Sequence, residues 1–152
     1  MAKYSVIGSQ AASATAASAG IVKLEAATAG LKKAAIVRWW IGPSGVTPAD
    51  VNYLIRIARQ STAGTWTAVT PSPYDSTDTA TTLVGGSDST AAGTEGVSLI
   101  DQGVNLNLGY MYVCIPGFEY IIPATNANGI FMRFVTVSGG TDVNVGGFEF
   151  FD

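Results

Sequence analysis

The chain has 152 residues, 12% of them charged and 47% hydrophobic, with a net charge of −3. It has no histidine and one cysteine, Cys114, which excludes His-based triads, His proton shuttles, His–metal sites and an intramolecular disulfide. The acidic balance argues against a nucleic-acid surface, no apolar run is long enough for a membrane-spanning helix, and the hydrophobic share is too high for a disordered chain.

This length predicts one domain, and so sparse a coat of charge suits a surface partly buried against partners. The start Met1-Ala2-Lys3 lacks an apolar signal core, so no secretory leader is expected. Tyr4-Ser5-Val6-Ile7 alternates weakly and leads into a run of Ala, Ser and Thr up to Gly20. Ala favours helix, but the interleaved Ser and Thr favour turns and no large apolar residue anchors a face. Residues 1–20 read as an extended N-terminal arm, with a short helix as the alternative.

From residue 21 the signals are strands. Residues 21–24 form a short one. In residues 34–41 the inward face is predicted to be Ala35, Val37, Trp39 and Ile41. Residues 51–60 place Val51, Tyr53, Ile55 and Ile57 on one face, with Asn52, Arg56 and Gln60 opposite. Residues 65–70 form a further strand, stopped by Pro71 and Pro73. Residues 71–96, rich in Ser, Thr, Asp and Gly, read as a long surface loop with a short edge strand at 81–84.

Order resumes at 97–100. Residues 110–115 and 118–122 flank Pro116-Gly117, which predicts either a hairpin or a kink within one strand. A turn at 123–129 precedes a strand at 130–137, and Ser138-Gly139-Gly140-Thr141 turns the chain into the last strand, 142–151. Gly146-Gly147 falls inside that strand and suggests a bulge or bend. Eight or nine strands without a convincing helix predict an all-β, jelly-roll-like antiparallel sandwich of about eight strands over residues 21–152.

The candidate chemistry is thin. Asp75 and Asp78 lack the spacing of a calcium loop and read as turn caps. Glu119 and Glu149 could form a glycosidase pair, but each alternates with apolar neighbours in a strand and reads as solvent-facing. No Gly-x-Ser-x-Gly appears, and no phosphate-loop Lys follows Gly85-Gly86 or Gly139-Gly140. Cys114 reads as a buried small hydrophobe. No catalytic, cofactor or metal residue is assigned.

Trp39 and Trp40 must face opposite sides of their strand, so one enters the core and the other is exposed or covered. A covered Trp is an interface anchor. Residues 1–59 carry seven positive and two negative charges, net +5, while residues 60–132 carry six negative and none positive, net −6. If the fold leaves these apart, neighbouring subunits attract.

Several segments together resemble the small decoration, or cement, proteins of tailed-bacteriophage heads. They are the Met1-Ala2-Lys3-Tyr4-Ser5-Val6 start with its Ala/Ser arm, the strand 34–41, Leu54-Ile55-Arg56, and Val69-Thr70-Pro71 through Asp75, Asp78, Ala80 and Thr81. Ile121-Ile122-Pro123-Ala124, Asn128-Gly129-Ile130 and Phe148-Glu149-Phe150 complete the set. Two Trp in a row and the long Ser/Thr/Gly loop depart from the pattern.

The resemblance implies a non-enzymatic jelly-roll subunit, often trimeric, made in the host cytoplasm and held on the outer capsid surface by the major capsid protein. It implies no catalytic residue, cofactor, nucleic acid or membrane. The expected interface residues are Tyr4, Val6, Ile7, Trp40, Trp66 and Tyr74, with the arm lying across a neighbour or folded onto its own sandwich. The alternative is a tail-fibre, spike or carbohydrate-binding sandwich, with Trp66, Tyr74 and Tyr110 stacking on sugars.

Overall fold

The computed structural model describes residues 1–11, 20–27, 33–44, 52–91, 93–105, 107–136 and 143–152. The expected turn at 138–141, Val51, Val137, Asp142 and most of the Ala/Ser run lie outside them. The described residues contain twelve strands and no helix. They are β1 (Lys3–Ala11), β2 (Gly20–Ala26), β3 (Ala34–Pro43), β4 (Asn52–Gln60), β5 (Thr65–Val69) and β6 (Ser72–Pro73). Then come β7 (Leu83–Ala91), β8 (Glu95–Asn105), β9 (Tyr110–Val113), β10 (Tyr120–Ile122), β11 (Gly129–Thr136) and β12 (Val143–Phe151).

Two antiparallel sheets pack face to face. Sheet I runs β10-β3-β12-β1-β6, with β9 also on β3, and sheet II runs β5-β7-β2-β11-β4-β8. Without β5 to β7 the order is β1-β12-β3-β9/β10 over β2-β11-β4-β8, the wrapping of a jelly roll. The insertion between β4 and β8 extends sheet II past β2 and lends β6 to sheet I. Tyr4, Val6, Trp39, Ile41, Tyr53, Ile55, Ile57, Phe134, Phe148 and Phe150 fill the space between the sheets.

The N-terminal segment is not an arm as far as Ala11. Strand β1 pairs with β12 over nine residues without a register shift. Tyr4 and Val6 point into the core, and Tyr4 stacks on Phe150 with ring centroids 5.4 Å apart. On its other edge β6 pairs with Tyr4 and Ser5, and Tyr74 N donates to Lys3 O at 2.9 Å.

The inward face of β3 also differs from the expectation. Trp39 and Ile41 are buried, but so are Ala34 and Ile36, while Ala35 and Val37 are only half-buried. The register with β12 shifts between Glu149 and Phe150, which pair with Arg38 and Ile36. Val37 is the extra residue of a bulge, and a bulge reverses the inward parity beyond it. On the other side of β3 the partner strand breaks at the same level. Strand β9 pairs with Arg38 through Ile41 and β10 with Ala34 through Ile36. Residues 110–122 therefore form one edge line interrupted at 114–119, the kink alternative rather than a hairpin.

Gly146-Gly147 is not the bulge. Gly146 faces the core, where an added Cβ would lie 3.0 Å from Met132 Sδ, and Gly147 faces outward, 2.2 Å from the Trp40 ring. The two glycines make room for flanking side chains. The same holds for β7, where a loop was expected. An added Cβ at Gly85 would meet Val6 Cγ2 at 2.6 Å, and one at Gly86 would meet Lys23 at 2.8 Å. Small residues line an interior strand because large neighbours already occupy the space.

Removal of residues 1–19 takes away β1 and the burial of Tyr4 and Val6, each worth about 1.5–3 kcal/mol. The expected outcome is an unfolded or molten chain by near-UV circular dichroism and urea titration. A cooperative fold of unchanged stability would contradict this account of β1.

Candidate interaction surface on sheet I

The outer face of sheet I is built in three rungs by the strand registers. Lys3, Phe151, Ala35 and Ile121 form the first, Ser5, Glu149, Arg38 and Val113 the second, and Ile7, Gly147, Trp40 and Met111 the third. Period-two alternation puts Phe148 and Phe150 inside and so forces Glu149 outward. Glu149 is nevertheless 1% exposed, not solvent-facing as its sequence context suggests.

Three groups cover it. Lys3 Nζ lies 2.7 Å from Oε2, Arg38 pairs with Oε1, and the Tyr74 hydroxyl donates to Oε1. Lys3 Nζ also sits 4.5 Å from the Tyr74 ring centroid. One carboxylate thus ties β1, β3 and the segment after β6 to β12. All its partners hold it in place, while Glu119, which lines the neighbouring hollow with it, accepts from Gly117 N at 3.0 Å.

Around this clamp the face is apolar. A hollow of about 180 Å³ is lined by Ser5, Ile7, Trp40, Met111, Tyr74 and the Arg38–Glu149 pair. A second, of about 410 Å³, lies beside it, with Val113, Pro116 and Phe151 on its apolar side and Lys3, Arg38, Glu119 and Glu149 on its charged side. Met111, Val113, Ile115, Phe118, Ile121 and Ile7 are all exposed along this side, Phe118 by 76%. Residues 115–118 form a tight turn in which Phe118 N donates to Ile115 O at 2.9 Å and Gly117 has φ +90. Pro116 then Gly117 is the pairing a type II turn requires. Cys114, just before it, is buried, and burial pushes its thiol up.

The structure brings together three of the six expected interface residues, Ile7, Trp40 and Tyr74. Tyr4 and Val6 lie in the core. Trp66 lies on the other sheet, half-buried edge-on against Phe131 at 6.2 Å. Tyr110 packs on Trp39 at 5.2 Å, so Trp66, Tyr74 and Tyr110 form no common platform. Met111, Val113, Ile115 and Phe118 were not singled out from sequence; their alternation with Tyr110 and Tyr112 is the signal that marks an outer face. Asp75 caps its own turn, accepting from Thr77 N at 2.9 Å and Thr77 Oγ1 at 2.7 Å, which holds its carboxyl below the usual range. Among the described residues no three Cys, Asp or Glu side chains cluster to hold a metal.

Sheet II presents the opposite surface. Arg56 grips Asp101 through Nε and Nη2, both at 2.7 Å, and Glu95 through Nη1 at 2.8 Å, while Arg133 Nε reaches Glu95 at 2.7 Å. The Arg56 hydrogen bond holds the Asp101 carboxyl at about 2. Charges here are answered within the chain.

Comparison with protein families, with characterised proteins and with known structures finds no match for this chain.

Two outcomes follow from these networks. Glu149→Ala leaves Lys3 and Arg38 facing each other across apolar surface and lowers stability by about 2 kcal/mol in urea unfolding, with Tyr74→Phe costing about half as much. Asp101 releases its proton more readily folded than unfolded, so its contribution is complete above about pH 4 and fades as pH falls towards 2. Asp101→Asn should flatten the acid limb of the stability profile in that window; an unchanged limb would count against the Arg56 pairing.

Proposed function

We infer that this chain is a non-enzymatic structural protein of a tailed-phage virion, decorating and stabilising the outer capsid surface as a trimer. The observation that carries the reading is the contrast between the sheets. The outer face of sheet II is occupied by ion pairs, while that of sheet I carries an exposed apolar shelf around its Lys3–Glu149–Arg38 clamp, with the Ile115–Phe118 turn at its edge. Shelves of that kind mark contact surfaces. A standard interface takes about 800 Å² from each partner, about a ninth of this subunit's 7168 Å² surface.

Capsid cement needs multivalent contact and resistance to internal pressure, and it needs no cleft. A carbohydrate-binding module is the second reading, favoured by the half-buried Trp40 beside Tyr74 in the smaller hollow. That hollow is below the usual 300–1,000 Å³ of a ligand site, and its polar groups are already bonded to one another.

Sedimentation should give three times the 15.7 kDa subunit mass at micromolar concentration. The chain should also co-sediment with shells assembled from the major capsid protein of the phage that carries it. Met111→Asp with Phe118→Asp should abolish both while leaving the fold intact. A monomer that ignores the shells and binds a glycan array would replace this reading with the second.

A further inference from the structure

The outer face of sheet II holds a second, separate cluster. Lys23 and Glu25 project from β2 and Gln60 from β4, and they are only 5%, 8% and 3% exposed. Glu25 and Gln60 flank Gly129 of β11 in one rung. Gly129 has no side chain, so the two meet across it. Lys23 stands two residues from Glu25 on the same face.

Lys23 Nζ lies 2.6 Å from Glu25 Oε1, and Gln60 Nε2 donates to Glu25 Oε2 at 2.6 Å. One carboxyl therefore holds an amine at one oxygen and a carboxamide at the other. Trp66 covers Lys23, with Nζ 5.7 Å from its ring centroid, and packs on the buried Phe131. Gln60 Oε1 meets no donor among the described residues.

The geometry points to an autocatalytic amide bond between Lys23 and Gln60, with Glu25 as proton carrier. Glu25 takes a proton from the Lys23 ammonium across their contact, which frees the Nζ lone pair to attack Gln60 Cδ. The Nζ–Cδ bond forms. Glu25 delivers its proton to Nε2, which already points at its other oxygen, and accepts the second amine proton in turn. The Cδ–Nε2 bond breaks and ammonia leaves, carrying that proton away as ammonium. The sum is an ammonium and a carboxamide giving a secondary amide and an ammonium ion, with Glu25 restored and no oxidant or reductant involved.

Each part of the cluster has a role in that step. The three groups are held together, which removes the entropy of bringing them to each other. The flexible four-carbon stem of Lys23 swings Nζ from the carboxyl oxygen onto Cδ. The product ties β2 to β4 across β11 and does not depend on what the opposite face binds.

Denaturing intact-mass measurement of the full chain tests this. The wild-type protein should be lighter than its sequence by one ammonia and yield a branched proteolytic peptide joining Lys23 to Gln60. Lys23→Met and Glu25→Gln should each restore the full mass. A folded wild-type chain that keeps its full sequence mass after prolonged incubation overturns the proposal. So does an ammonia loss that persists in Lys23→Met, since the Asn128-Gly129 step loses the same mass on closing to a succinimide. Where a variant fails to fold, the wild-type mass and peptide map decide alone.

Discussion

Period-two alternation along β12 is the constraint from which the surface follows. Phe148 and Phe150 have to enter the core, so Glu149 has to leave it. It leaves at the centre of a sheet, flanked by β1 and β3, where it is 1% exposed. A carboxylate there needs cations, since an unpaired buried charge is costly. Lys3 and Arg38 come from the two neighbouring strands in the correct rungs, and Tyr74 closes over the top. The clamp uses up the polar groups in the middle of the face. What remains around it is Ile7, Trp40, Met111, Val113 and Phe151.

Sheet II handles its charges differently. Its outer side is partly roofed by Trp66 and by the segment after β4, whose Ala63 carbonyl accepts from Lys23 at 3.2 Å. Lys23, Glu25 and Gln60 are enclosed there, and Arg56, Asp101, Glu95 and Arg133 neutralise one another further along. Part of the lopsided charge in the sequence is thereby folded together: Arg56 of the first half meets Glu95 and Asp101 of the second, and Lys3 and Arg38 meet Glu149.

Much of the fold was legible in the sequence, and the misreadings share a cause. Tyr53, Ile55 and Ile57 share the inward face that their alternation predicts, and the split of Trp39 from Trp40 follows from adjacency alone. The failures lie where packing overrides pattern. The bulge at Val37 inverts the parity of β3, and no local residue announces it. Strand β7 is written in Gly and Ser because Val6, Lys23 and Trp66 crowd it, and small polar residues look like loop when neighbours are unseen. Residues 3–11 read as part of an extended arm because their apolar residues are few, yet β1 supplies the ladder along one whole side of β12. Of the six residues expected at an interface, Ile7, Trp40 and Tyr74 lie together on the outer face of sheet I. Met111 and Val113 of β9 are exposed on the same face, and in the sequence they differ from buried aliphatics only by their alternation with Tyr110 and Tyr112.

The interruption at 114–119 explains why that edge presents side chains rather than backbone. A long unpaired edge strand invites another strand to add to it, without limit. Here the line from β9 to β10 is broken opposite the Val37 bulge, and the break carries Pro116, which has no amide hydrogen to donate. The turn that fills the gap is closed by its own hydrogen bond, and Gly117 N is capped by Glu119. Its conformation is therefore set before any contact forms, so docking Ile115 and Phe118 costs little further ordering. An edge of this kind resists open-ended strand addition and leaves a fixed apolar knob for a shaped partner surface.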